Sequence, residues 1–216
     1  MEPVTGIPEW FDQEHEDKNI WQPPFDYSKI SQEIFELEQG LSAGWKETQV
    51  QAYLKPRPHL FDGLYRDGHG TFVFSELKFG TKYVADWVVG SGSSSGLSWE
   101  LIELECPQSV PFIGSGHYSE ATRKGVRQIN DWRNWIKRNI DNVQRPLSRQ
   151  GLGLDGLDDS AHGLVVVGRR DLYSDREAVG RYNEIRRVEK TTTRIDIISY
   201  DTLIERMKFR VKQFHA

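Results

Sequence analysis

The stretch Trp99–Pro107, WELIELECP, decides how this chain is read. It has the apolar content of a buried β-strand, yet it carries three glutamates. Strand side chains alternate between faces, so Trp99, Leu101, Glu103 and Glu105 share one face, and Glu100, Ile102 and Leu104 the other. Carboxylates on one face of an apolar strand repel each other and resist losing water. Either a lysine or arginine from a neighbouring element pairs with them, or a divalent cation does.

The segments before it read as a hairpin. TFVFSELKF (71–79) turns at Gly80 into KYVADWVVG (82–90), and SGSSSGLS then forms a flexible polar loop leading into strand 98–105. That loop lacks the lysine of a phosphate-binding loop and precedes a strand, not a helix. Asp86 shares a face with Lys82, Val84 and Val88 in a run where aspartate is disfavoured. Asp86 and Glu103 on adjacent strands would converge near the sheet centre. Mg²⁺ binds through one or two carboxylates plus waters and substrate phosphates at ~2.1 Å, so it would offset their repulsion. A salt bridge to a nearby helix would do so equally.

After the strand comes a long helix over 119–140, with Ser119 as its cap. Gln128, Trp132 and Trp135 lie on one stripe facing the sheet. The tryptophans read as core. Gln128 is either a boundary residue or a hydrogen-bonding partner for a carboxylate or metal-bound water. Upstream, helices are expected over 29–40 and 45–55, the latter halted by Pro56 and Pro58, with Glu47 in its first turn. Downstream come a Gly- and Asp-rich loop (141–160), a buried strand (161–170), a helix (174–189), a strand (194–200) and a helix (201–213). Residues 1–28, with four prolines, read as an irregular arm.

Composition narrows the class. The single cysteine, Cys106, excludes an internal disulfide framework and a Cys-rich zinc site. His69 and His117 make no metal motif. No apolar run approaches the ~18 residues of a membrane span, and nothing resembles a secretory leader, so a cytoplasmic protein without membrane contact is expected. The net charge of −4 hides an asymmetry. Residues 1–40 hold ten acids against Lys18 and Lys29, whereas residues 121–150 hold eight lysines and arginines against Asp131 and Asp141. Whole-chain charge argues against a nucleic-acid binder, but phosphate contact depends on local basic surface, so the second segment argues for one.

The order helix, strand, strand, strand, helix, strand, with Asp86, then ELE at 103–105, then Gln128 in RQINDW, resembles the PD-(D/E)XK nuclease superfamily. More closely, the chain resembles the Shedu family of anti-phage defence proteins over about residues 45–210. The stretches carrying the likeness are KETQVQAYLKPRPHLF, ADWVV, WELIELECP, GVRQINDWRNWI and VVVGRRDLYSD…IDIISYDTLIERM. The resemblance implies an α/β fold: a restriction-endonuclease-like αβββαβ core with a mixed central sheet flanked by helices, plus a C-terminal α-β-α extension. It divides the chain into an acidic arm with a short helix (1–40) and a nuclease domain (41–216).

The resemblance also implies site residues. Asp86 and Glu103 match the metal-binding acids, Glu47 the acid of the first helix, and Gln128 the helix residue after the motif. Glu105 stands where such nucleases place a lysine, and this is the main departure. Lys82 is too far along its strand, about 13 Å, to replace it. Lys124, Arg123 and Arg127 on the long helix are better placed to reach phosphates. The expected activity is metal-dependent cleavage of DNA with Mg²⁺ or Mn²⁺ in phage defence, by a homo-oligomer with a tetramer the expected form. The alternative is a catalytically inactive nuclease-fold subunit that binds or senses DNA. A third reading makes the acidic arm a lid over the basic cluster.

Overall fold

The computed structural model describes residues 7–20, 26–64, 70–113, 117–172 and 176–214. His69 lies outside them. Helix α1 (Glu9–Glu14) is followed by α2 (Tyr27–Ser42) and α3 (Glu47–Leu54). Strands β1 (Thr71–Phe79), β2 (Tyr83–Ser93) and β3 (Gly96–Leu104) come next, then a small hairpin of β4 (Phe112–Ile113) and β5 (His117–Tyr118). Helices α4 (Glu120–Arg138) and α5 (Ile140–Gln144), strand β6 (His162–Val166), helix α6 (Arg176–Thr193), strand β7 (Ile195–Ile198) and helix α7 (Tyr200–Phe214) complete the order.

Five strands form one mixed sheet in the order β1-β2-β3-β6-β7. The first two pairings are antiparallel, and β3-β6 and β6-β7 are parallel. Each face carries its own apolar layer. On one face α4 sets Ile129, Trp132 and Ile136 against Phe72, Phe74, Val88, Leu101 and Val165. On the other, Ile34 and Leu37 of α2, Val50 and Leu54 of α3 and Leu203 and Met207 of α7 cover Val73, Trp87, Ile102 and Leu164. The helices thus bury amphipathic stripes on both sides, as a sheet containing parallel pairs requires. No helix among the described residues is long and apolar enough to cross a membrane.

Several boundaries differ from expectation. SGSSSGLS is not a flexible loop: the β2–β3 ladder continues to Ser93↔Gly96, leaving a two-residue turn. A Cβ on Gly90 would lie 2.8 Å from the Trp99 ring, so the absent side chain here serves packing and not flexibility. The long helix stops at Arg138 and a separate turn of helix follows. Strand β6 ends at Val166, because the chain must bend at Gly168 (φ 70°), where a Cβ would meet the Ser109 carbonyl at 2.3 Å. The arm is not wholly irregular. Phe11 of α1 is fully buried, edge-on to Phe72 at 4.8 Å.

The first hairpin contains one more departure from regularity. Phe72 and Phe74 face α4, and so do Leu77 and Phe79, although strict alternation would put the second pair on the opposite face. On β2 the same change separates Val88 from Ala85. The register is continuous, Ser75↔Trp87 and Leu77↔Ala85, but the pair between them, Glu76 and Asp86, drops out of the ladder. Glu76 there has φ 51°.

Candidate functional site

Glu103 near the end of β3 and Glu105 just past it project toward α4, on the shared face the alternation demands. Each is only 2 % exposed. Gly125 on α4 allows this closeness: a Cβ there would lie 3.3 Å from Glu105 Cγ and 2.8 Å from Val165. The Glu105 backbone is fixed on both sides, its N–H donating to the Val166 carbonyl and its carbonyl accepting the Tyr200 hydroxyl at 2.8 Å.

Asp86 joins them where β2 and β3 part. The ladder ends at Trp87↔Ile102, and the next residues in register are Asp86 and Glu103. The Leu104 amide donates to Asp86 Oδ2 at 2.9 Å, and the side chains of Gln51 and Glu103 are near enough to the Asp86 carboxyl to hold its pKa down. Glu47 and Gln51 are one helical turn apart on α3, and Glu47 is near enough to repel the charges of Asp86, Glu103 and Glu105. The site therefore draws on helices from both faces of the sheet, α3 from one and α4 from the other.

Lys124 of α4 supplies the cation. Its Nζ lies 3.0 Å from Glu105 Oε2, and it is partly exposed while Glu105 is buried. Burial works against the lysine's charge, but the bond to Glu105 and the surrounding acids hold its pKa above the ordinary value. The acids are under-compensated. Burial raises Glu103 to about 10, with repulsion from Asp86 and Glu105 adding to it. Burial likewise raises Glu105 to about 7, despite Lys124, and Asp86 to about 6, despite the Leu104 amide. Among the described residues, three buried oxygens on β3 and its continuation and on α4 have no hydrogen-bond partner: Glu103 Oε2, Glu105 Oε1 and Gln128 Oε1; elsewhere Ser91 Oγ is a fourth. Buried oxygens left in this state are rare in native folds and mark places where an ion or water binds.

Arg123, Lys124 and Arg127 line one open groove of about 900 Å³ with Glu105, Tyr118 and Asn130. Arg127 is exposed, and Arg123 donates to the Tyr118 carbonyl at 2.9 Å. The basic segment is not one surface, however. Arg133 is half-buried and donates to the carbonyls of Ala161, Thr193 and Arg194, and Lys137 pairs with Asp159. Lys82 sits over the Tyr83 ring. Trp132 is core, and Trp135 packs on Phe79. Cys106 bonds Gln108, and His117 is exposed on β5.

The structure thus brings Glu47, Asp86, Glu103, Glu105 and Lys124 into one electrostatic cluster, with Gln128 Oε1 buried on the same helix as Lys124. Gln51 was absent from the sequence reading, although its spacing of four residues from Glu47 is visible there. Among the described residues, no three His, Cys, Asp or Glu side chains are arranged as a cage around a single ion. Mg²⁺ does not require such a cage, since it takes one or two carboxylates and keeps most of its waters. The unpartnered oxygens of Glu103 and Glu105, beside Asp86, fit that donor set.

Residues 45–204 match the family model described as Shedu protein SduA, C-terminal. No curated protein matches the chain.

Proposed function

The chain belongs to the Shedu SduA C-terminal family over residues 45–204, and on that premise we propose that it is a metal-dependent DNA endonuclease acting in anti-phage defence. The observation that carries this reading is the crowding of carboxyl groups away from water: part-buried Asp86 and buried Glu103 and Glu105 converge, and among the described residues only Lys124 pairs with any of them. A fold that needed only stability would replace such a group with apolar side chains or pair it fully. The order α3-β1-β2-β3-α4-β6 supports a restriction-endonuclease-like core.

In this reading Asp86 and Glu103 hold Mg²⁺ or Mn²⁺, with Glu47 and Glu105 as auxiliary acids. When bound, the ion polarises the phosphodiester and lowers the pKa of a water. Gln51 helps orient the Asp86 carboxyl, and the Gln128 side-chain oxygen accepts a hydrogen bond from a bound water and so orients it. Arg123 and Arg127 hold the DNA backbone in the groove by charge-assisted hydrogen bonds. Lys124, anchored by Glu105, presents its ammonium to the phosphate oxygens as negative charge builds on them. A lysine delivered from α4 replaces the one that position 105 lacks. A homo-oligomer, a tetramer by family likeness, and a cytoplasmic setting belong to the same proposal.

The competing reading is an inactive DNA-binding or sensing subunit, in which the Glu105–Lys124 pair neutralises the lysine. Supercoiled plasmid incubated with EDTA, Mg²⁺ or Mn²⁺, beside a folded Asp86→Ala/Glu103→Ala variant, separates the two. Metal-dependent nicking by the wild type alone supports the nuclease. DNA binding without cleavage under any metal supports the sensing subunit.

A further inference from the structure

The paired change of face in β1 and β2 occurs beside one side chain of the candidate site. In a regular antiparallel ladder, the Leu104 amide would donate to the Ala85 carbonyl, the next bonded partner beyond Trp87↔Ile102. It donates to the Asp86 carboxylate instead. Regular alternation would also put Asp86 beside Val88 on the α4 face, out of reach of α3 on the other side. Yet Gln51 of α3 is near enough to favour its charged form, and so is Glu103, whose side chain is on the α4 face.

Glu76 sits opposite Asp86 at the break, with φ 51°. Glutamate disfavours this left-handed conformation, and nothing in a plain hairpin strand calls for it. Such backbone strain persists only where the surroundings impose it, and it concentrates at functional sites. The Glu76 side chain is exposed and pairs with Lys55, just past the end of α3, at 2.5 Å. An exposed pair of this kind contributes little on its own.

We propose that Glu76 is a positioning residue: its left-handed backbone opens the β1–β2 ladder opposite Asp86, so that the Asp86 carboxylate reaches between the strands and is shared by α3 and β3. The inference deepens the metal-site reading and rests on it for the role of Asp86. The backbone of residue 76, and not its charge, does the positioning.

The test compares Glu76→Gly and Glu76→Asn, which accept positive φ, with Glu76→Ala and Glu76→Val, which resist it increasingly. All four remove the partner of Lys55. Two readouts are taken on the DNA-free full chain: hydrogen exchange of the Leu104 amide by NMR, and Mn²⁺ affinity by EPR. The Gly and Asn variants should match the wild type in both. The Val variant should bind Mn²⁺ about tenfold or more weakly, the usual effect of losing a ligand's support, with Leu104 exchange altered. The Ala variant should fall between, and it stands in for Val if Val does not fold. Wild-type behaviour in Ala and Val overturns the proposal. Equal losses in all four variants also overturn it, because the ion pair would then be responsible. If no form binds Mn²⁺ but Leu104 exchange follows the order Gly, Asn, Ala, Val, the positioning stands and the metal reading falls.

Discussion

Lys124 Nζ lies 3.0 Å from Glu105 Oε2, so a helix supplies the cation to a strand whose corresponding position holds an acid. If that ammonium stabilises the transition state, Lys124→Met should lower the nicking rate at saturating DNA by about 10²–10³-fold, the cost of losing one such donor. DNA affinity should change far less. The exchange Glu105→Lys/Lys124→Glu keeps the pair while reversing its direction. It should recover part of the rate, whereas Glu105→Lys alone places two cations together. A Lys124→Met variant that nicks at the wild-type rate would remove Lys124 from the chemistry.

The three raised carboxyls make a second prediction. Asp86 is held at about 6 and Glu105 at about 7, chiefly by burial. A raised carboxyl pKa means that the folded chain binds the proton more tightly than the unfolded chain. The associated stability is complete below the ordinary values of 3.8 and 4.5 and is lost as pH rises through about 6 and 7. The metal-free Tm should therefore fall from about pH 4 to about pH 7, with Glu103, raised to about 10, extending the fall above that. Mg²⁺ should restore it at the upper end and do little at the lower, because the ion binds carboxylates. Asp86→Asn should flatten the metal-free profile, by about 2–4 °C for each kcal/mol relieved, and should abolish the response to Mg²⁺. Thermal melts across pH with EDTA or Mg²⁺ decide it.

How far the sequence anticipated this site depends on the period of each element. Alternation alone put Glu103 and Glu105 on one buried face, because β3 is regular there. The same rule misplaced Asp86, since one left-handed residue on the neighbouring strand, Glu76, inverts the pattern, and glutamate gives no local sign of positive φ. Helical spacing placed Lys124 and Gln128 on one helix, but which strand the helix crossed depended on tertiary packing. Charge counting was weakest: Arg133 is a carbonyl-binding brace, indistinguishable in sequence from Arg127. Family likeness contributed the grouping of Glu47 with Asp86, an electrostatic proximity between elements about forty residues apart that no local pattern encodes.

That difference between the two arginines is itself testable. Arg127 is exposed in the groove, so Arg127→Ala should weaken DNA binding evenly across sequences and reduce the salt slope of log K by about one, leaving Tm unchanged. Arg133→Ala should do the reverse. It strips donors from the half-buried carbonyls of Ala161 and Thr193, at about 1–3 kcal/mol for each group left unpaired. Fluorescence anisotropy against salt, beside denaturant melts, separates the roles. A salt-slope change in Arg133→Ala without loss of stability would return it to the DNA-binding surface.

The N-terminal arm gives the last prediction. Phe11 is fully buried among Phe72, Trp99 and His15, and His15 in turn bonds the Gly153 carbonyl. Glu14 accepts the amides of Leu147 and Ser148, Glu33 pairs with Arg57 and Glu38 with Lys208, so these acidic contacts of the arm are not with the groove arginines. A lid would detach without harm to the fold. A piece of core would not, and truncating a buried phenylalanine costs about 3–5 kcal/mol. Phe11→Ala should therefore lower the unfolding free energy by that amount, and Glu14→Gln should lower it much less while leaving DNA affinity unchanged. If Glu14→Gln instead raised DNA affinity with stability intact, the arm would be acting on the basic surface, and the autoinhibitory lid would be the better account.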